Sequence, residues 1–379
     1  MKENSLMYSG KTYKYLDMCA NGFWSPKKVL TYNKPIIVIT ATRSVGKSTG
    51  VALYVLFDFL INKHKFMYIR RRQRDTYKTC KTFFTNAVAI VNKYTPFKIL
   101  GFKYDSGFYW ISTETDVVDD KNGEPVLIWE KCGMAFPLSE EEDLKSSVFS
   151  DYFTVIYDEF ISKDRNKYLG TKNTPEMEWE SVCSLYQTID RGVDNPFRNE
   201  VRIFLLGNKA TIYNPICISL GISDYVHKGQ HFTSPKGKQW VWEDLDRVEA
   251  TSKIEESFAF QMSSENVKNY AYRNLGKDNN AFIKKPGIAS YVATVKLHGE
   301  LYGIYRDESY YFYIYTPKPN YAVFALDVGS HSENDLQLIN KWRESPLMTM
   351  LSEAYKRGML YFGSGKIQNA FLLYLEYLQ

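Results

Sequence analysis

One stretch limits what this chain can fold into: residues 35–49, PIIVITATRSVGKST. Ile36, Ile37, Val38 and Ile39 form the apolar run of a buried strand. The run enters a short loop closed by Gly46, Lys47 and Ser48. A helix-like segment follows over about residues 47–62, with Val51, Leu53, Val55, Leu56, Phe59 and Leu60 as its apolar residues. Strand, phosphate loop and helix in this order are the context a P-loop needs. Free backbone N–H groups at the helix start cradle phosphate oxygens, and the helix dipole favours the anion. The candidate nucleotide-binding residues are therefore Thr42, Arg43, Ser44, Val45, Gly46, Lys47, Ser48 and Thr49. Lys47 is expected to reach the β- and γ-phosphates, and the Ser48 hydroxyl to ligate Mg²⁺. The consensus G-x-x-x-x-G-K-[ST] has Gly where this chain has Ala41, which serves if the first turn needs no positive φ. The plain alternative is an ordinary strand–turn–helix with a chance G-K-S.

A second stretch supplies the partner that a P-loop requires. Phe153–Tyr157 is a β-branched and aromatic run that ends in Asp158 and Glu159, as a Walker B strand does. Asp158, at the strand's end, is placed to hold Mg²⁺ through water. Glu159, one residue on, points elsewhere and can polarise an attacking water. Residues 201–206 read as another buried strand, and Asn208 beyond its tip can sense the γ-phosphate and couple hydrolysis to movement. Asn208-Lys209-Ala210-Thr211 has Thr211 where a guanine-reading N-K-x-D has Asp, which weakens a GTPase reading. Arg191 and Arg198 are basic residues that could reach a nucleotide in an adjacent subunit, and Lys145 lies upstream of the Walker B strand; a surface ion pair is the alternative for each.

The rest of the chain is read around that core. Phe23-Trp24-Ser25-Pro26 could shelf an adenine or pack an N-terminal arm. A second strand over 65–69 runs into Arg70-Arg71-Arg72-Gln73-Arg74, a cluster suited to a DNA backbone, to a neighbouring subunit, or to a solvated strand end. Residues 76–95 are expected to be one helix, and 97–135 short strands with a turn at 119–123. Residues 1–227 then form the P-loop domain with its arm. Residues 228–242, containing Gly229, Pro235 and Gly237, form a linker, and 243–379 form a smaller α+β domain that starts with a helix over 243–269. That domain carries strands over 288–295, 301–305, 310–315 and 321–326 and helices over 335–342, 346–357 and 366–377. The aromatic run 310–315 could stack bases or pack a sheet. His227 and His231 have no third ligand and are not expected to hold a metal. Hydrophobic residues at 44% and aromatics at 16% exclude a disordered chain. The net charge of +5 does not by itself imply nucleic acid. Five scattered cysteines without a C-x-x-C fit a reducing cytoplasm, residues 1–10 are polar, and no apolar run has the length of a membrane span.

Taken together, the ordered motifs resemble the phi29-type DNA-packaging ATPases, small relatives of the phage terminase large subunits. The resemblance rests on residues 23–28, Thr42-Arg43-Ser44-Val45-Gly46-Lys47-Ser48, 66–71, 137–139 with Lys145-Ser146, 155–160, and 206–208 with Asn214-Pro215. It is good over about residues 20–220 and survives beyond only as the order of elements. It implies an α/β fold: a RecA-like P-loop NTPase core of the additional-strand (ASCE) type, with a C-terminal domain that could be a vestigial RNase H-like nuclease. It also implies an ATP- and Mg²⁺-dependent subunit of a homomeric ring, a pentamer, which drives double-stranded DNA through the portal of an empty prohead. A packaging RNA bridges ring and portal in this family. The subunit is then expected in the host-cell cytoplasm, transiently on the prohead, with no membrane partner, and absent from the mature virion. Family roles fall on Lys47 and Ser48 (nucleotide and Mg²⁺), Asp158 (Mg²⁺), Glu159 (base) and Asn208 (coupling). They fall on Lys145 with Arg191 or Arg198 as cations acting in trans. Strands 288–295 and 301–305 contain no acids, which fits a domain without nuclease activity. Two other readings are a DNA helicase and a P-loop subunit that only binds nucleotide; Glu159 argues against the second.

Overall fold

The computed structural model describes residues 10–19, 24–41, 45–113, 126–145, 147–162, 168–169, 177–191, 199–208, 214–222, 225–226, 230–245, 261–262, 283–297, 299–325, 345–365, 367–368 and 370–371. The chain divides into two compact units, residues 1–169, 176–210 and 224–276 forming the first and 170–175, 211–223 and 277–379 the second.

In the first unit, β1 (Ile36–Ala41), β2 (Lys65–Arg70), β5 (Glu130–Pro137), β6 (Tyr152–Asp158), β7 (Arg202–Asn208) and β9 (Trp240–Asp244) are parallel. Strands β3 (Ile99–Asp105) and β4 (Phe108–Thr113) extend the β5 edge antiparallel, and β8 (Phe232–Thr233) closes the other edge. The sheet reads β3-β4-β5-β2-β6-β7-β1-β9-β8. Its central strands β1, β6 and β7 are buried almost throughout and correspondingly apolar, as strands covered on both faces must be. β7 lies between the P-loop strand β1 and the acid-bearing strand β6, which is the additional-strand arrangement of the ASCE core.

Helix α3 (Lys47–Asn62) is buried from Gly50 to Phe59, and so it is apolar on every side. Over it lie α1 (Gly10–Cys19) and α5 (Thr85–Tyr94); Tyr15 of α1 stacks on Phe57 at 5.6 Å. Short α2 (Lys27–Leu30) follows Trp24. That indole is not an open shelf: its N–H donates to Glu243 at 2.9 Å, and the residue is 8% exposed.

Three expectations differ from the structure. The single helix over 76–95 is two, α4 (Gln73–Cys80) and α5, because the Tyr109 hydroxyl takes the Cys80 carbonyl that the next helical N–H would need. The segment 228–242 is not a linker but supplies β8 and most of β9. Pro235 and Gly237 make the turn between the two strands, and Trp240, Val241 and Trp242 are buried beside β1. Glu243 and Asp244, expected to begin a helix, end β9, and most of 246–269 lies outside the described residues. The turn at 119–123 and the helix over 335–342 also lie outside them, as does most of 366–377.

The second unit contains α7 (Pro215–Ser219), capped by the Asn214 side chain, and a sheet ordered β13-β10-β11-β12-β14. Its strands are β10 (Ser290–Leu297), β11 (Glu300–Arg306), β12 (Phe312–Tyr315), β13 (Val323–Ala325) and β14 (Leu360–Phe362). Val295, Leu297, Ile304, Phe312, Ile314 and Phe362 pack with Met348 and Leu351 of α8 (Pro346–Lys356). The aromatic run 310–315 therefore packs the sheet: Phe312 and Ile314 enter the core, and Tyr313 stacks on Tyr361 at 5.5 Å.

Gly50 sits where a side chain would meet the Trp24 carbonyl at 2.7 Å and the indole ring at 2.9 Å. Inside most helices Gly→Ala stabilises by about 1 kcal/mol. Here the sign reverses: Gly50→Ala is expected to destabilise by about 1–3 kcal/mol through overpacking, read as a lower midpoint of thermal unfolding.

Candidate nucleotide-hydrolysis site

In an open parallel sheet, ligands bind at the carboxyl ends of the strands. The register brings the sequence motifs to that edge. Ala41 pairs with Asn208, and Asp158 with Leu206, so the P-loop, the coupling residue and the acid pair leave three neighbouring strands at one level.

Ala41 is the last residue of β1 and has no positive φ, which answers the departure from the consensus Gly. The positive φ falls instead on Gly46, at 88°, the N-cap of α3. Val45 is buried, and its carbonyl accepts from the Trp24 N–H at 3.3 Å, fastening the loop from outside. Lys47, Ser48 and Thr49 form the first turn of α3, where N–H groups face outward along the axis. Thr42, Arg43 and Ser44 lie outside the described residues. The Lys47 ammonium donates to the Asn208 Oδ1 at 2.7 Å, so the two residues assigned to phosphate and coupling meet directly.

At the tip of β6, Asp158 and Glu159 differ in surroundings. Asp158 is 9% exposed and accepts from the Tyr68 hydroxyl at 3.0 Å and from Arg70 Nη1 at 3.1 Å. The Glu159 side chain is 53% exposed and accepts from Arg70 Nη2 at 2.6 Å, so it is the carboxylate of the two that water can reach. Its φ is +57°, a left-handed conformation that costs a non-glycine residue about 1–2 kcal/mol. Burial first, and the neighbouring Asp158 second, push the Tyr68 hydroxyl pKa up, which keeps it a donor. Burial opposes the Arg70 charge, but Tyr68, Asp158 and Glu159 outweigh it and raise its pKa.

Arg70 and Arg71 correct the reading of the basic cluster as a DNA contact or a solvated strand end. Both are buried and committed to carboxylates of their own chain, while Arg72 and Arg74 are exposed. Arg71 grips Glu178 through Nε at 2.7 Å and Nη2 at 2.9 Å, and Nη2 also donates to the Phe160 carbonyl at 2.7 Å. Glu178 lies in the first turn of α6 (Met177–Asp190). Nothing in its local spacing sets it apart from the exposed Glu180 two residues on.

Of the candidate cations, Lys145 and Arg191 come together across 46 residues of sequence: Arg191 Nη1 donates to the Lys145 carbonyl at 3.3 Å. The Lys145 ammonium pairs with Glu142 at 3.0 Å and is half exposed, and Arg191 is exposed. Arg198 lies outside the described residues.

The donors fit a magnesium nucleotide. The helix start and Lys47 offer charge to phosphates, and the Ser48 hydroxyl and the Asp158 carboxylate are hard oxygen donors of the kind Mg²⁺ takes. Among the described residues no group of three or more His, Cys, Asp or Glu side chains converges as a metal site. No helix of the described residues is long and apolar enough to cross a membrane.

Comparison with known proteins agrees with this geometry. The Podovirus DNA encapsidation protein (Gp16) family matches residues 18–376. The DNA packaging protein of Bacillus phage phi29 is 25% identical over 366 residues, covering 92% of this chain and 95% of that protein. The DNA packaging protein of Bacillus phage PZA is 24% identical over 367 residues, with the same coverage of 92% and 95%. A chain of the bacteriophage phi29 viral genome packaging motor assembly superposes with a TM-score of 0.69 at 19% identity, covering 94% of this chain and 99% of that chain. A chain of the phi28 gp11 DNA packaging motor gives 0.61, also at 19% identity, with coverage of 94% and 99%. With a match running from residue 18 to residue 376 and the P-loop, acid pair and Asn208 on one sheet edge, this chain belongs to the Podovirus DNA encapsidation protein (Gp16) family.

Proposed function

We infer that this chain is an ATP-hydrolysing subunit of a motor that drives viral double-stranded DNA into a preformed prohead. The observation that carries the reading is the convergence of Lys47, Asp158, Glu159 and Asn208 at one sheet edge. Phosphates dock at the start of α3, where Lys47 adds charge. Ser48 and Asp158 would hold Mg²⁺, which when bound would neutralise charge developing on the transferred phosphoryl group. Glu159 orients and deprotonates water. To take a proton from water its carboxylate leaves Arg70, whose Nη2 occupies Oε2. Asn208, bonded to Lys47, stands where occupancy of the loop can be passed to β7.

The finer parts of the reading are a homomeric ring, a pentamer, seated on the portal and bridged to it by a packaging RNA in the host cytoplasm. The motor chains of phi29 and phi28 to which this fold is similar support it. In such a ring Lys145 and Arg191, side by side on an exposed surface, are placed to meet a nucleotide of the neighbouring subunit, with Arg198 as the third candidate. The second unit is a vestigial nuclease. Three antiparallel strands with the fourth parallel beside the first are the start of an RNase H-like sheet, but β14 adds next to β12. Among the described strands of that sheet the only acid is Glu300, at the exposed start of β11, whereas metal-dependent cleavage needs several converging carboxylates. Asp327 lies outside the described residues.

Lys47→Ala is expected to lose ATP binding with the fold intact, and Glu159→Gln to bind ATP but stall hydrolysis. A fluorescent-nucleotide titration beside single-turnover hydrolysis checks both, and unchanged affinity in the first or wild-type turnover in the second overturns the assignment. For the cations in trans, Arg191→Ala is expected to be inactive alone and to recover activity when mixed with Lys47→Ala, where one subunit gives the cation and the other the pocket. An inserted cation is worth about 10³–10⁵ in rate, so recovery stands well above background. Rings that form from mixtures with Lys145→Ala, Arg191→Ala or Arg198→Ala and recover nothing count against it. Incubated with plasmid DNA and Mn²⁺, the full chain is expected to leave the plasmid uncut; nicking that Asp327→Ala abolishes overturns the vestigial-nuclease reading.

A further inference from the structure

The left-handed backbone at Glu159 needs a cause. A non-glycine residue keeps such a conformation only when its surroundings fix it on both sides. On the near side, the Glu159 N–H donates to Asp158 Oδ1 at 3.1 Å and the Glu159 carboxylate is held by Arg70. On the far side, the Phe160 N–H donates to the Leu206 carbonyl at 3.2 Å, and the Phe160 carbonyl accepts from Arg71 Nη2 at 2.7 Å.

Arg71 is itself immobilised. Its fork closes on Glu178, and Glu178 also accepts from the Tyr157 hydroxyl at 2.6 Å and from the Leu169 N–H at 2.8 Å. The guanidinium lies 4.8 Å from the Tyr168 ring centre, and the Tyr168 hydroxyl accepts from the Ser162 N–H at 2.9 Å. The Arg71 carbonyl accepts from Ser139 at 3.1 Å. One buried ion pair thus gathers the end of β2, the second residue after β5, the turn after β6 and the first turn of α6. Among the described residues it makes no hydrogen bond to residues 45–49 or to Asp158.

We propose that Arg71 and Glu178 are positioning residues for Glu159: their buried pair clamps the Phe160 carbonyl and so holds the Glu159 peptide in the left-handed conformation that sets its carboxylate beside the strand tips. The inference rests on Glu159 being the base of the proposed ATPase. It separates Arg71 from the neighbouring Arg70, which touches the carboxylates themselves.

The test uses the full-length chain. In Arg71→Lys one shorter ammonium replaces the planar fork, so the bidentate grip on Glu178 and the fixed geometry that carries it to the Phe160 carbonyl are lost. Turnover is expected to fall about ten- to a hundredfold, the loss that a misplacement of the order of 1 Å brings. Nucleotide affinity should stay as in the parent, and the chain should remain folded at the assay temperature. A second variant, Arg71→Met/Glu178→Leu/Tyr157→Phe, replaces the pair and its hydroxyl partner by apolar side chains, an exchange that buried ion pairs often tolerate. It is expected to fold and bind nucleotide but to hydrolyse as slowly as Arg71→Lys. Placed on Glu159→Gln, Arg71→Lys should add no further loss, because both changes act through one group. Turnover that survives in either clamp variant, that falls in step with nucleotide affinity, or that drops again on the Glu159→Gln background overturns the proposal. Wild-type turnover by Glu159→Gln removes the base assignment and this inference with it. A stalled Glu159→Gln beside an active Arg71→Lys removes the inference alone.

Discussion

Two consecutive guanidinium groups at the end of β2 must be neutralised inside the protein, and the site is arranged around how that is done. Side chains alternate along a strand, so Arg70 and Arg71 leave β2 in different directions. Arg70 meets Asp158 and Glu159; Arg71 meets Glu178 and the Phe160 carbonyl. Neither charge has bulk water to fall back on. Removing one partner of such a buried pair leaves an uncompensated charge, at a penalty of about 3–5 kcal/mol. The pairs therefore do less to add net stability than to exclude other arrangements of the strand tips, which is what a reaction centre built on three separate strands needs.

The sheet order does the rest. With β7 between β1 and β6, Asn208 stands between the P-loop and the acids, in register with Ala41. An amide there is within reach of Lys47 and one strand away from Asp158. The same order puts β9 on the far side of β1, where Glu243 takes the Trp24 indole N–H and Trp24 in turn covers Gly50 and fastens Val45. The phosphate loop is thus fixed from outside by an N-terminal arm and from inside by its neighbour strand.

What the sequence made legible was local. The strand into Gly46-Lys47-Ser48, the bounds of α3 and the acids at the tip of β6 all follow from patterns within about a dozen residues, because backbone hydrogen bonding and burial there obey one periodicity. The parts that were not legible depend on pairings across long stretches of chain. Arg71 and Glu178 are 107 residues apart, and each reads by itself as a surface charge. The split between α4 and α5 is decided by a hydroxyl 29 residues away, at Tyr109. The first three residues of β9 follow a Pro and Gly turn, so they read as part of a linker, although two buried tryptophans and a valine mark them as core.

The hydrogen bond between Lys47 and Asn208 has a consequence for how tightly nucleotide is held. An ammonium has three N–H groups, so one can stay on Asn208 while the others turn to phosphate. The amide holds the end of a long side chain in place before any ligand arrives, and ordering a free lysine costs about 1.5–2 kcal/mol. A lysine that is already anchored gives up less freedom when phosphate reaches it.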